Sequence, residues 1–497
     1  MAIEMLSVPS LVLRKTWVRA LLLALVVTAL SYLIAIGRLH IVLFTFLSCV
    51  ALAVSTANPR RGVVTLLLFS VFLGEVRRIV DMSGDWASTD PLLLIVPAFS
   101  MLLGISVILR ERLNTPLARM VLALMVMMAL EIFNPLQGGL SVGLGGAFFY
   151  IPPLMFFWMG RRYATPEFID ALLYRLVLPV AVIAAIAGCA QVFIGFAPWE
   201  QAWINHVATS YAALNVGGII RPFAFFTSSA EYSEFMGIAV ALAACGVWTG
   251  HRRAAGWLVL LVPALFLASG RESLLKGFFA VLVIWAVRRG ASRGTYLRLA
   301  FGAAVLFAAM AWVLPKIMHD SGGGTSKADL LLAHQVGGLL NPTDARQSTL
   351  AIHWYFLKTG VISGFTAPAG HGLGASTIAA KKFGEGQTAT EVDFGDMFVD
   401  LGFLGGFLYL AIVYNVFKSL ARNWARLGDP ATLQTYAVML ATILGWLISG
   451  EYAIAPIAWF VMGAIDATRV RLAQTDPPRP SKGRGFASLG LLKGRSP

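Results

Sequence analysis

Runs of about twenty predominantly apolar residues recur along this chain, the first being WVRALLLALVVTALSYLIAIG from Trp17 to Gly37. Lipid offers backbone N–H and C=O groups no partner, so a segment of this kind spans a membrane only as a helix or as part of a closed barrel. The runs lack the alternation of a barrel strand, which leaves helices. With 58% hydrophobic and only 13% charged residues in 497, a water-soluble fold is excluded. The first run is full spanning length and has no small-residue cleavage site, so it is expected to remain as a helix and not to act as a cleaved signal peptide. The expected fold is an all-α polytopic membrane protein with about 12–14 transmembrane helices and one large, mainly helical extracytoplasmic loop.

Charge sets the orientation. With the N-terminus inside, alternation puts most of the 39 basic residues on the cytoplasmic side, including Arg60–Arg61, Arg161–Arg162, Arg252–Arg253 and Arg288–Arg289. Arg77–Arg78 is the one short basic cluster that breaks the rule. The net charge of +14 is thereby spent on topology, and a nucleic-acid partner is not expected. The chain divides into helices 1–11 with short loops over 1–315, a large outer loop over 316–396, C-terminal helices over 397–470, and a basic, disordered cytoplasmic tail over 471–497 that touches anionic lipid at most. Both termini are placed in the cytoplasm. Cys49, Cys189 and Cys245 all lie in apolar runs, so neither a disulfide framework nor a metal cluster is expected.

Five polar stretches fall on the outer side: Arg221 in RPFAFFTSSAEYSEF, Arg271 in ASGRESLLKG, Arg346 in NPTDARQSTLAIHWYF, His371 in GHGLGAS, and an acidic run with Glu391, Asp393, Asp396 and Asp400. Idle arginines belong on the cytoplasmic side, and an arginine at the other surface has an anionic partner or a task. The local alternative is that Arg271 pairs with Glu272 and Arg221 with Glu231. Acids ahead of a helix also favour its dipole, which explains one or two carboxylates but not four in ten residues. The outer histidines lack ligand spacing, so no metal is expected.

These stretches, in this order, resemble the superfamily of O-antigen ligases and O-antigen or exopolysaccharide polymerases. The family's "R-x-x-G-x-F" stretch is similar to the segment from Arg221, its "S-x-S-R" knot to ASGRES, and its loop pattern to RQSTLAIHW, GHGLG and FVDLGFLGG. The likeness covers roughly 143–450. Nine residues before the family's acid, here Asp400, the family has a histidine and this chain has Glu391; an acidic version is closer to the polymerase branch. The resemblance implies metal-independent glycosyl transfer, with no cofactor, outside the cytoplasmic membrane of a bacterium. The donor is a polyprenyl-diphosphate-linked oligosaccharide and the acceptor is the next lipid-linked unit, with a flippase and a chain-length regulator as further partners.

Arg221, Arg271 and Arg346 are then candidates for the diphosphate, because guanidinium groups bind it bidentately. Glu391, Asp393 and, as runner-up, His371 are candidate proton acceptors for the attacking hydroxyl. Trp354 and Tyr355 are candidates for stacking on sugar, with packing of the loop helix as their plain alternative. Ligation to a lipid A core is the second reading. A transporter or flippase of lipid-linked sugars is the third; it needs charged residues deep in the helices, and few are expected there.

Overall fold

A computed structural model describes residues 28, 32, 37–82, 90–207, 214–216, 218–290, 326–341, 350–384, 392–447 and 451–475. The expected helices near Trp17 and Leu299, the start of the outer loop at Lys316, residues 476–497 of the basic tail, Arg346 and Glu391 lie outside these residues, while 471–475 continue the last helix.

The described residues are almost wholly helical, which fits an all-α membrane protein, and among them five helices are long and apolar enough to cross a bilayer: Leu39–Ala57, Pro91–Ile108, Leu140–Tyr163, Pro166–Phe193 and Asp393–Leu427. In chain order the helices are α1 (Leu39–Ala57), α2 (Pro59–Met82), α3 (Ile95–Ile108, entered through a 3-10 turn), α4 (Pro116–Glu131) and α5 (Leu140–Tyr163). Next come α6 (Pro166–Leu172), joined by a π-turn to α7 (Leu178–Phe193), then α8 (Pro198–Val207), α9 (Ser229–Gly246), α10 (Arg252–Gly256), α11 (Leu258–Leu267) and α12 (Arg271–Arg288). The last six are α13 (Lys327–Leu340), α14 (Leu350–Thr366), α15 (Ile378–Phe383), α16 (Asp393–Leu427), α17 (Pro430–Ala441) and α18 (Ile454–Thr475). The extended structure described is a single two-residue antiparallel pair, Asn215–Val216 with Ile219–Ile220.

Local sequence sets several helix starts. Thr115, Thr165 and Asp429 each precede a proline and accept a hydrogen bond from a first-turn amide with their side chains. Proline at the first helical position loses no bond there and has the right φ already, so these pairs start helices sharply.

Helix α9 is the centre of the bundle. Every residue from Glu231 to Gly246 is buried, and the helix packs against α7, α11, α12 and α17. Its run of Gly, Ala and Ser allows that approach, as small residues do between membrane helices. Helices α5 and α18 cross more closely still. A Cβ on Gly160 would lie 2.0 Å from the Phe460 carbonyl oxygen, and one on Gly463 would lie 2.0 Å from that of Phe157. Beside this crossing Arg161 pairs with Asp466, and Thr115 Oγ1 donates to Asp466 at 2.7 Å.

Two expectations change. The C-terminal helices are expected from 397, but α16 starts at Asp393, and Asp393, Asp396 and Asp400 are all buried inside it. The helix is kinked at Gly402, whose φ of 67° opens a gap in the α-helical ladder. Deep charge is also more abundant than expected. Arg78, Asp81, Glu231, Glu234, Lys276 and Glu451 are buried; Arg78 and Glu231 meet backbone where helices begin, Asp81 meets His206 near the end of α8, and Glu234 and Lys276 meet each other.

The α5–α18 crossing yields a test. Gly463→Ala drives a side chain into backbone that cannot yield, and overpacking of this kind costs about 1–3 kcal/mol. Gly256→Ala in α10, where a Cβ would meet nothing within 4 Å, serves as the control. Thermal melting in detergent should fall for the first variant and hold for the second.

Candidate functional site

The segment from Arg221 to Ser228 is an irregular turn wedged into the bundle. Ala224 has φ of 47°, a left-handed conformation that a residue with a Cβ adopts only when held. Two buried side chains hold it. Gln191 Oε1 accepts from the amides of Phe223 (2.9 Å) and Ala224 (2.8 Å). Arg78 donates to the carbonyl oxygens of Ala224, at 3.1 Å, and Phe226, and its guanidinium lies 4.2 Å from the Phe223 ring centroid. Arg77 in turn pairs with Asp90 at 2.8 Å. The cluster that broke the charge rule is thus built into the fold: Arg78 carries the turn on which Arg221 sits. That exception was the one sequence signal for it.

From this turn Arg221 reaches the other knot. Its Nε and Nη2 donate to the Ala268 carbonyl oxygen at 3.0 and 2.9 Å. The neighbouring Ser269 is left-handed, with φ of 55°, and the chain then enters α12 at Arg271. Arg271 Nη2 donates to His334 Nε2 at 2.7 Å and to the His334 carbonyl oxygen at 2.8 Å, both on α13. Gly338 makes this possible, since a Cβ there would lie 1.9 Å from the Arg271 guanidinium carbon. Burial, and then the charge of Arg271, pull Arg221 down to about 10. The two guanidinium groups therefore lie close enough to repel. His334 completes a basic corner made by a loop, a helix N-terminus and a loop helix.

Neither local pairing forms. Glu272 lies 3.1 Å from Lys276 Nζ, and Glu231 accepts from Thr227 Oγ1 (2.6 Å) and the Ala453 amide (2.5 Å). Arg271 has no carboxylate partner among the described residues. One step inward, Ser233 Oγ and Ser273 Oγ are 3.0 Å apart, and beyond them Lys276 pairs with Glu234. Glu451 adds a third carboxylate to that pair's surroundings, with its Oε2 buried and without a partner.

The acidic run is split. Asp400 Oδ1 accepts from the Ser376 amide (2.8 Å) and Oδ2 from that of Gly374 (3.1 Å). The GHGLGAS glycines at 370, 372 and 374 all have positive φ, and His371 and Gly372 donate their amides to the Val399 and Asp400 carbonyl oxygens freed by the kink. Asp400 and this loop therefore close the break at Gly402. Asp393 Oδ2 accepts from Tyr409 OH (2.8 Å) and from the amides of Trp446 (2.5 Å) and Leu447 (2.9 Å), capping a break where Leu444 is left-handed. The carboxylate is buried, and its Oδ1 meets no donor in the protein. His371 is half-buried, with Nε2 3.0 Å from Ser363 Oγ. Trp354 and Tyr355 are 67% and 60% exposed on α14, so they do not anchor that helix; Gly360 and Gly364 do, against Gly395 and Phe398.

Of the candidates, the structure brings Arg221 and Arg271 together. It adds His334, Arg78 and the Glu234–Lys276 pair, which sequence reasoning passed over, and it sets His371 at the Gly402 kink. No protein-family model matches this sequence, and no curated protein is significantly similar to it.

His334 gives the corner a pH dependence. Burial first, then the charges of Arg271 and Arg221, push its imidazole down to about 4. The undocked histidine, near about 6.5, binds more protons between these values, so docking of α13 is complete above about 6.5 and weakens as pH falls towards 4. Amide exchange in α13 should rise over that window, and His334→Gln, which does not titrate, should abolish the rise.

Proposed function

We propose that this protein is a glycosyltransferase that joins polyprenyl-diphosphate-linked oligosaccharide units at the outer face of a bacterial cytoplasmic membrane. In this reading about 12–14 helices cross the membrane, both termini are cytoplasmic, and 316–396 is an outer loop. The observation that carries the reading is the corner of Arg221, Arg271 and His334, in which Arg271 meets no carboxylate among the described residues. Such a corner suits an anion that arrives and leaves. In a low-dielectric setting, fixed guanidinium groups stabilise charge developing on a departing diphosphate.

The transfer balances without a metal or cofactor. The acceptor hydroxyl oxygen bonds to the anomeric carbon. The bond from that carbon to the diphosphate oxygen breaks and its electron pair leaves with the diphosphate, held by Arg221 and Arg271 with Arg346 as a third. The hydroxyl proton passes to a carboxylate. Glu391 and Asp393 are the candidates; Asp393 Oδ2 is taken by Tyr409 and two backbone amides, and Oδ1 meets no donor in the protein. His371 remains the runner-up. Trp354 and Tyr355 are exposed and suit the sugar. Ligation to a lipid A core uses the same site with another acceptor.

One observation favours the transporter reading: Lys276 and Glu234 form a buried pair with Glu451 close by, and charges inside a membrane bundle mark pathways as often as they hold folds.

Deleting the gene and running lipid-linked glycans on a gel separates the readings. A polymerase leaves single units and no long polymer. A ligase leaves long polymer stranded on polyprenyl diphosphate. Unchanged glycans would favour transport of some other substrate. Arg221→Ala, Arg271→Ala and Glu391→Gln should each abolish polymer while the protein stays in the membrane; normal polymer in all three would remove the site.

A further inference from the structure

A cavity of about 30 Å³ lies between α3, α5 and the entry to α18. It has room for about one or two particles the size of a water molecule. Apart from Glu451 and Tyr452 its wall is apolar. None of its residues belongs to the arginine corner.

Glu451 is the member of this wall that needs a partner. It is 7% exposed, and its Oε2 is buried and meets no donor among the described residues. A buried carboxylate is tolerated when it is paired or coordinates a metal. The charges that act on it are those of Glu234, Lys276, Glu231 and Asp393. Lys276 is the one cation of this group. It is already bonded to Glu234 and lies 3.1 Å from Glu272. Carboxylates therefore outnumber ammonium groups around Glu451, and a further positive charge would be stabilised there.

The facing wall supplies neutral acceptors. Helix α5 carries Pro152 and Pro153 in its interior. Neither has an N–H, so the carbonyl oxygens of Phe148 and Phe149 lose the donors that an α-helix supplies, and the proline rings stand against those carbonyls. All four residues line the cavity with Glu451. Carbonyls of broken helices, set beside a buried charge, are a recurring way to hold a small cation inside a membrane bundle.

We propose that this cavity binds a monovalent metal cation of sodium size, held between the Glu451 carboxylate and the carbonyl oxygens of Phe148 and Phe149. One carboxylate and neutral carbonyls suit a single positive charge, whereas calcium and magnesium take more oxygen ligands or keep several waters, for which the cavity has no room. A proton on Glu451 would need no cavity and would leave both carbonyls unserved. The ion takes no part in the transfer proposed above. It ties α5 to α18 along the interface that Gly160 and Gly463 close farther on.

The full-length protein in neutral detergent would be titrated with radioactive sodium chloride in a scintillation proximity assay, with N-methylglucamine chloride holding the ionic strength constant. The expected result is saturable binding of one sodium ion per chain, displaced by unlabelled sodium and not by N-methylglucamine. The melting temperature should rise with sodium over the same concentrations, as linkage requires of a ligand that binds the folded state. Glu451→Gln removes the charge and should weaken binding by about tenfold or more. Pro152→Ala leaves every charge in place and restores an N–H that bonds the Phe148 carbonyl, so it should weaken sodium binding while the protein melts in sodium-free buffer no lower than the wild type. The second variant keeps the test intact if the first folds poorly. No saturable sodium binding, displacement by N-methylglucamine, or wild-type affinity in either variant would overturn the proposal.

Discussion

Wherever a helix stops inside an apolar bundle, amides and carbonyls lose their partners in a place that water does not reach, and the fold exists only if buried side chains replace them. Arg78 and Gln191 do this for the turn at 221–228, Asp393 for the break at 442–447, and Asp400 for the kink at Gly402. Each break carries a left-handed residue: Ala224, Leu444 and Gly402. Strained backbone of this kind persists because neighbours over-determine it. The charges that first suggest chemistry in the sequence are therefore of two kinds. Some only fasten irregular backbone, and others bond backbone and also face a like charge.

Arg221 and Arg271 illustrate the second kind. Arg221 does bond to the Ala268 carbonyl, yet it remains beside another guanidinium and a neutral histidine. Gathering like charge is unfavourable, and a fold that maintains it against repulsion gains when an anion arrives. Asp393 and Asp400 illustrate the first kind. Asp400 gives both oxygens to amides, and Asp393 gives Oδ2 to two amides and a phenol while its Oδ1 meets no donor, so both fasten backbone.

Much of the architecture was legible in the sequence, because run length and the Thr-Pro and Asp-Pro starts are local signals. The membrane class follows from run length, and the Thr-Pro and Asp-Pro starts of α4, α6 and α17 are signals of the same local kind, whereas nothing local says that Arg221 and Arg271 come together. The start of α16 at Asp393 was not legible, because the apolar run begins only at 397 and the acids ahead of it carry no local sign of burial. Nothing local reveals that amides 53 and 54 residues away will bond to Asp393. His334 gave no signal at all, since its value comes from Arg271 across 63 residues. Arg78 did give one, as an arginine on the wrong side of a charge rule, and the rule itself could not say what it fastened.

Glu231 adds a constraint in time. Its Oε1 accepts from the amide of Ala453, 222 residues later in the chain, while its Oε2 is satisfied locally by Thr227. During synthesis the central helix α9 is made long before that donor exists. Half of a buried carboxylate must stay near water, or hold a proton, until α17 and α18 have entered the bundle. Closure of the core is thus deferred to the last helices made, and a ribosome that stops short of them releases a chain whose most buried helix cannot yet be sealed.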